Sequence, residues 1–134
     1  MTDTTQQTIL IIDDDKFLLD MYVVKFKEKG FEVIPSLGSI EALELLQKGL
    51  DPTVVLLDLV MPAMDGFELL QKIKTDGLAP NSKCIVLSNL SQDADKEKAK
   101  QFGADGYIVK ASATPSEVVA QVVDILKGEV SNET

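Results

Sequence analysis

Short apolar runs alternate with segments of helical period along almost the whole chain. The runs predict strands over 8–13, 31–35, 53–58, 83–88 and 106–110. They are nearly continuous rather than alternating, as expected when helices cover both faces of a parallel sheet. Helical spacing predicts helices over 15–29, 38–48, 65–76, 92–102 and 115–127. A glycine falls just past each helix end, Gly30 and Gly103 among them, where a left-handed residue commonly closes a helix. Ser39, Asp65 and Thr114 lie near helix starts, and Pro115 suits a first helical position. The last helix is plainly amphipathic, through Val118, Val119, Val122, Val123, Ile125 and Leu126. The fourth is not: Asp93 to Phe102 offers few large apolar groups, and pairs such as Asp93 with Lys96 and Glu97 with Lys100 steady it only slightly. It reads as a solvated helix, or as a loosely anchored one that can move when its surroundings change.

Five βα units without repeats or long linkers imply one doubly wound α/β domain. The domain is expected to be single over 1–134, with a core over about 8–127 and tails at 1–7 and 129–134. Nothing remains for an output domain, and the opening Met1 with its polar tails favours a stand-alone protein.

Four of the apolar runs stop on residues suited to phosphate or metal chemistry. Ile9–Ile12 stops on Asp13 and Asp14, Val54–Leu57 on Asp58, Ile85–Leu87 on Ser88, and Tyr107–Val109 on Lys110. Parallel strands bring these ends to one sheet edge, where ligands of open α/β sheets bind. Two carboxylates at about 4 Å repel by about 4 kcal/mol at an effective dielectric of about 20, so the cluster wants a cation or a proton. Carboxylate oxygens suit Mg2+. The acids are too far apart in sequence for an EF-hand. A plainer explanation of Asp13 to Asp15 is an acidic run favouring the dipole of the first helix, but that leaves Asp58, Ser88 and Lys110 unaccounted for. A lysine at a buried strand end is costly without an anion. Together the set reads as a phosphoryl site: carboxylate nucleophile, metal, hydroxyl donor and ammonium.

Composition narrows the classes. The net charge is -9, and all 13 basic residues are lysine, so the chain lacks the planar fork best suited to phosphate and guanine. No nucleic-acid partner is expected. Without histidine the chain cannot carry its own phosphohistidine. Cys84 sits in an apolar run and reads as a buried structural thiol. No stretch is long enough to span a membrane and residues 1–7 show no leader pattern, so a cytoplasmic protein with no membrane partner is expected.

Over roughly residues 8–127 the sequence resembles the receiver domain of two-component response regulators, similar to a stand-alone CheY-like protein. The motifs are Ile-Leu-Ile-Ile-Asp-Asp-Asp at 9–15, Asp-Leu-Val-Met-Pro-Ala-Met-Asp-Gly at 58–66, Leu-Ser at 87–88 and Gly-Ala-Asp-Gly-Tyr-Ile-Val-Lys at 103–110. The resemblance implies a flavodoxin-like five-stranded parallel sheet of order 2-1-3-4-5. It makes Asp58 the phosphoacceptor, supplied by a phosphohistidine on a sensor histidine kinase or a histidine phosphotransfer protein. Asp14, Asp58 and the Val60 carbonyl would contact Mg2+, with Asp13 acting mainly through a water. Ser88 would bind the phosphoryl oxygen and Lys110 pair with the group. Tyr107 would move in behind Ser88 and bias the surface of helix four, strand five and helix five, which a downstream protein reads. Taken without the resemblance, Tyr107 is a plain core tyrosine. No enzyme is implied beyond the chain's own phosphorylation and slow dephosphorylation.

Several positions depart from the family pattern. Ala111 follows Lys110 where a cis proline is usual; a cis bond before alanine costs about 3 kcal/mol, so a trans peptide and an altered following loop are expected. Asn89 stands where a small residue is usual and narrows phosphoryl access. Val60 and Leu90 are apolar where polar groups could orient water, so slow self-dephosphorylation is expected. Two rival readings are a haloacid-dehalogenase-like phosphatase, with Asp13 as nucleophile and Asp15 as general acid, and a receiver-fold binding module that is never phosphorylated.

Overall fold

The computed structural model describes residues 6–128. Five parallel strands, β1 (Thr8–Ile12), β2 (Glu32–Ser36), β3 (Val54–Leu57), β4 (Lys83–Ser88) and β5 (Gly106–Val109), form one sheet in the order β2-β1-β3-β4-β5. The helices α1 (Lys16–Glu28), α2 (Ser39–Gln47), α3 (Gly66–Thr75), α4 (Asp93–Gln101) and α5 (Pro115–Leu126) each follow the like-numbered strand. The expected doubly wound, flavodoxin-like architecture is present. Bounds read from the sequence for α1 and α3 run slightly long because they include the caps Asp15 and Asp65, which each accept a backbone N–H at the helix start; Thr114, just outside the last predicted helix, caps α5 in the same way.

The continuous apolar runs have a direct cause. Leu10, Ile12, Val55, Leu57 and Val86 pack on one face with α2 and α3, while Ile9, Ile11, Val54, Leu56 and Ile85 pack on the other with α1 and α5. Both faces of β1, β3 and β4 are buried, and each such side chain contributes about 1.5–3 kcal/mol. β2 departs from this rule. It is an edge strand with exposed and half-buried positions, and it tolerates Pro35 there.

α4 buries only Ala99. Neither Asp93 with Lys96 nor Glu97 with Lys100 closes into an ion pair among the described residues. Lys98, itself exposed, lies with its Nζ 4.2 Å from the centroid of the Phe67 ring, and Phe67 meets Phe102 edge-on at 6.0 Å. α4 is thus held chiefly at its C-terminal end, by aromatic contact with α3.

No cis peptide occurs among the described residues, so the Lys110–Ala111 bond is trans, and the chain turns through a short 3-10 segment, Lys110–Ser112. Among the same residues no helix is long and apolar enough to cross a membrane.

Two predictions follow from packing. Cys84 is fully buried, and burial pushes its thiol up to about 11. Its contribution to stability is complete below the ordinary 9.0 and is lost as pH rises through about 11. Maleimide labelling near pH about 8 should therefore track global unfolding, with folded protein unlabelled. Ala63 holds a left-handed φ of 69°, which costs a non-glycine residue about 1–2 kcal/mol. Ala63→Gly should raise unfolding stability in urea by about 0.5–1 kcal/mol.

Candidate functional site

The strand ends converge as the pattern required. The N–H of Asp13 donates to the Ser36 carbonyl at 3.1 Å and that of Asp58 to the Ile12 carbonyl at 3.1 Å, so each acid sits one step past its strand and still in register. Asp13 and Asp58 are buried, while Asp14 is exposed at the mouth.

Lys110 closes the site from the far side of β4. Its Nζ lies 2.8 Å from Asp13 Oδ2 and 2.9 Å from Asp58 Oδ2. Burial by itself lowers the lysine pKa, but the hydrogen bonds to Asp13 and Asp58 and their charges carry it above its ordinary value. Burial likewise raises the Asp13 carboxyl, and the bonds from Lys110 and from the Asp15 N–H only partly offset that. One ammonium therefore serves two acids and leaves negative charge uncompensated.

The remaining oxygens are placed by backbone. Asp13 Oδ1 accepts the Asp15 N–H at 2.9 Å. Asp58 Oδ1 accepts the N–H groups of Leu59 at 2.7 Å and Val60 at 3.3 Å. The turn back to α3 passes so close that a Cβ on Gly66 would lie 2.1 Å from the Asp58 carbonyl oxygen, which only glycine avoids. The Asp65–Glu68 capping box then starts α3.

The three aspartates divide their work. Asp13, Asp14 and Asp58 each offer a carboxylate oxygen, all within 4.8 Å of one another, a donor set that fits Mg2+. Asp15, the general acid of the phosphatase alternative, has its carboxylate engaged with the Leu18 N–H as the cap of α1.

Ser88 is fully buried at the end of β4, and its Oγ accepts the Leu90 N–H at 3.2 Å. The Leu90 carbonyl accepts the Tyr107 hydroxyl at 2.6 Å. Ser88 and Tyr107 are thus joined through one residue, a link no sequence signal announced. Burial first, then the charges of Asp95 and Asp58, push the Tyr107 phenol up to about 12, so it remains a donor. Val60 is 61% exposed and Asn89 is also exposed at the mouth. The sequence placed Ser39 only near a helix start; its hydroxyl in fact reaches the Met64 carbonyl in the loop after Asp58.

Comparison with known proteins bears on this arrangement directly. The family model described as response regulator receiver domain matches residues 9–123. The DNA-binding dual master transcriptional regulator RpaA of Synechocystis is 31% identical over 119 residues, covering 89% of this chain and 48% of that protein. The DNA-binding response regulator MtrA of Mycobacterium tuberculosis is 32% identical over 120 residues, covering 90% and 50%. The chain spans about half the length of the curated relatives it matches. Among solved structures, a CheY-like receiver domain protein of Methanospirillum hungatei superposes with a TM-score of 0.82 at 26% identity, covering 93% of this chain and 97% of that one. The NarL receiver domain of Mycobacterium tuberculosis gives 0.80 at 27%, covering 92% and 98%.

These relatives overturn the exclusion of nucleic acid drawn from composition, because several are DNA-binding regulators by name. Lack of arginine speaks for contacts made by this surface alone, not for what a protein built on such a domain acts upon. With fold, site and matched motifs in agreement, the chain belongs to the response regulator receiver domains, the phosphorylatable switches of two-component systems.

Proposed function

We propose that Asp58 takes a phosphoryl group from a phosphohistidine on a sensor histidine kinase or histidine phosphotransfer protein. The observation that carries this reading is the Lys110 ammonium held between Asp13 and Asp58 at the ligand-binding edge of the sheet. A carboxylate oxygen of Asp58 attacks phosphorus in line, forming the P–O bond as the P–N bond to the donor imidazole breaks. Lys110, kept protonated by its two acids, lies where charge on the transferring group can be met. Asp13, Asp14, Asp58 and the Val60 carbonyl are the groups that would hold Mg2+, which when bound supplies a compact positive charge beside the phosphoryl oxygens.

Ser88 then turns its hydroxyl to the phosphoryl group, loosening its bond from the Leu90 N–H. Leu90 also holds Tyr107, so the change passes to β5 and to the lightly anchored α4. The surface of α4, β5 and α5 is the output, read by a downstream protein. The relatives' names make control of a DNA-binding activity one use of such a switch. The chain is the substrate of the transfer rather than a turnover enzyme, and a cytoplasmic setting suits its donors.

Incubation with acetyl phosphate and Mg2+ should add one phosphoryl group by intact mass, absent in Asp58→Asn. No adduct on protein that binds Mg2+ would favour a binding module that is never phosphorylated. Phosphate release surviving Asp58→Asn but lost in Asp13→Asn would mean a phosphatase. Val60, exposed and apolar, offers no side-chain group to orient water, so the adduct should be long-lived. Val60→Asn should hasten its loss roughly 3- to 10-fold, and slower or equal loss would refute the assignment.

A further inference from the structure

We propose that Ser39, at the start of α2, is a positioning residue that braces the phosphoacceptor loop and so sets the affinity of the acidic site for Mg2+. The inference deepens the phosphoacceptor reading above and rests on it.

The N–H groups of Leu59 and Val60 hold Asp58 Oδ1, so the path of the loop sets the direction of the carboxylate. The first half of that loop is fixed by burial, since Leu59 and Met61 sink into the core. In the second half only Met64 packs against the core, and only in part. Pro62 and Ala63 are exposed, and Ala63 carries a strained left-handed φ of 69°. The Met64 N–H donates to the Pro62 carbonyl at 2.8 Å within the loop, and the N–H of Gly66, the first residue of α3, donates to the Leu59 carbonyl at 2.9 Å. Neither bond ties the loop to an element other than the helix it leads into. A strained residue persists only where its surroundings over-determine it.

Ser39 supplies the outside tether. Its side chain is 1% exposed, and its hydroxyl donates to the Met64 carbonyl, the residue next to Ala63 and 25 positions along the chain. The corner it stands on is itself firm: Ser36 Oγ donates its one hydrogen to the Gly38 carbonyl at 2.7 Å, and the Leu37 N–H donates to Glu41 Oε1 at 3.1 Å. The same corner accepts the Asp13 N–H through the Ser36 carbonyl at 3.1 Å. The β2–α2 corner is thus bonded to the backbone of both acidic loops, one through Ser36 and the other through Ser39. It adds to the direct Asp58 N–H bond to the Ile12 carbonyl in holding Asp13 and Asp58 in place, and a small octahedral cation tests that placement severely. Supporting groups behind metal ligands commonly change affinity about tenfold or more.

The test is calorimetric titration of Mg2+ into the unphosphorylated protein, with amide hydrogen exchange on the same samples. Ser39→Ala should weaken Mg2+ binding roughly 3- to 10-fold and speed exchange selectively across 59–66. Ser39→Thr, which keeps the hydroxyl, should restore most of the affinity. Binding by Ser39→Ala within about twofold of wild type overturns the inference. So does weakened binding accompanied by faster exchange throughout the sheet, which marks general destabilisation. A wild type that does not bind Mg2+ overturns the metal-site reading and this inference together, whereas wild-type binding matched by the variant overturns this inference alone.

Discussion

One ammonium shared between two buried carboxylates governs the site. Lys110 leaves β5, passes the end of β4 and reaches Asp13 beyond β1 and Asp58 beyond β3. Removing one member of a buried pair leaves an uncompensated charge and costs on the order of 3–5 kcal/mol, so the sheet edge is held in shape by the same groups proposed above for its chemistry. The balance is also incomplete, with two acids and exposed Asp14 against a single cation. On the proposed reading, a metal ion and a phosphoryl group would enter that arrangement by exchanging partners rather than by building a new one.

Rigidity and looseness are divided accordingly. The strands carrying Asp13, Asp58 and Ser88 are packed on both faces, and their ends inherit that precision. α4 buries one alanine and is pinned by Lys98 and Phe102 against Phe67. A change at Ser88 therefore meets a stiff wall on the β1 side and a yielding one on the α4 side. The link through Leu90 to Tyr107 points toward the yielding side. Such a fold moves where its packing is poorest.

Composition proved a weak guide to partners. The lysine-only basic set and negative balance are real, yet relatives about a third identical over the matched segment are DNA-binding regulators by name. Surface charge limits what one face can touch, whereas the output of a switch is set by whatever reads it.

The element order, the buried strands and the residues at the four strand ends were legible in the sequence because each rests on local pattern. A run buried on both faces must be apolar, and the register of a parallel sheet carries every run's end to the same edge. The caps Asp65 and Thr114 were legible for the same reason, being fixed by bonds to neighbours three positions away. The tertiary structure alone decided which of three consecutive aspartates does what: Asp13 turns in to Lys110, Asp14 stays at the mouth and Asp15 caps α1. It alone joined Ser39 to Met64, put Gly66 against the Asp58 carbonyl and set Lys98 over the Phe67 ring. Those contacts link residues distant along the chain or choose between local and distant partners. Pattern places a side chain on an element, and only packing selects its partner.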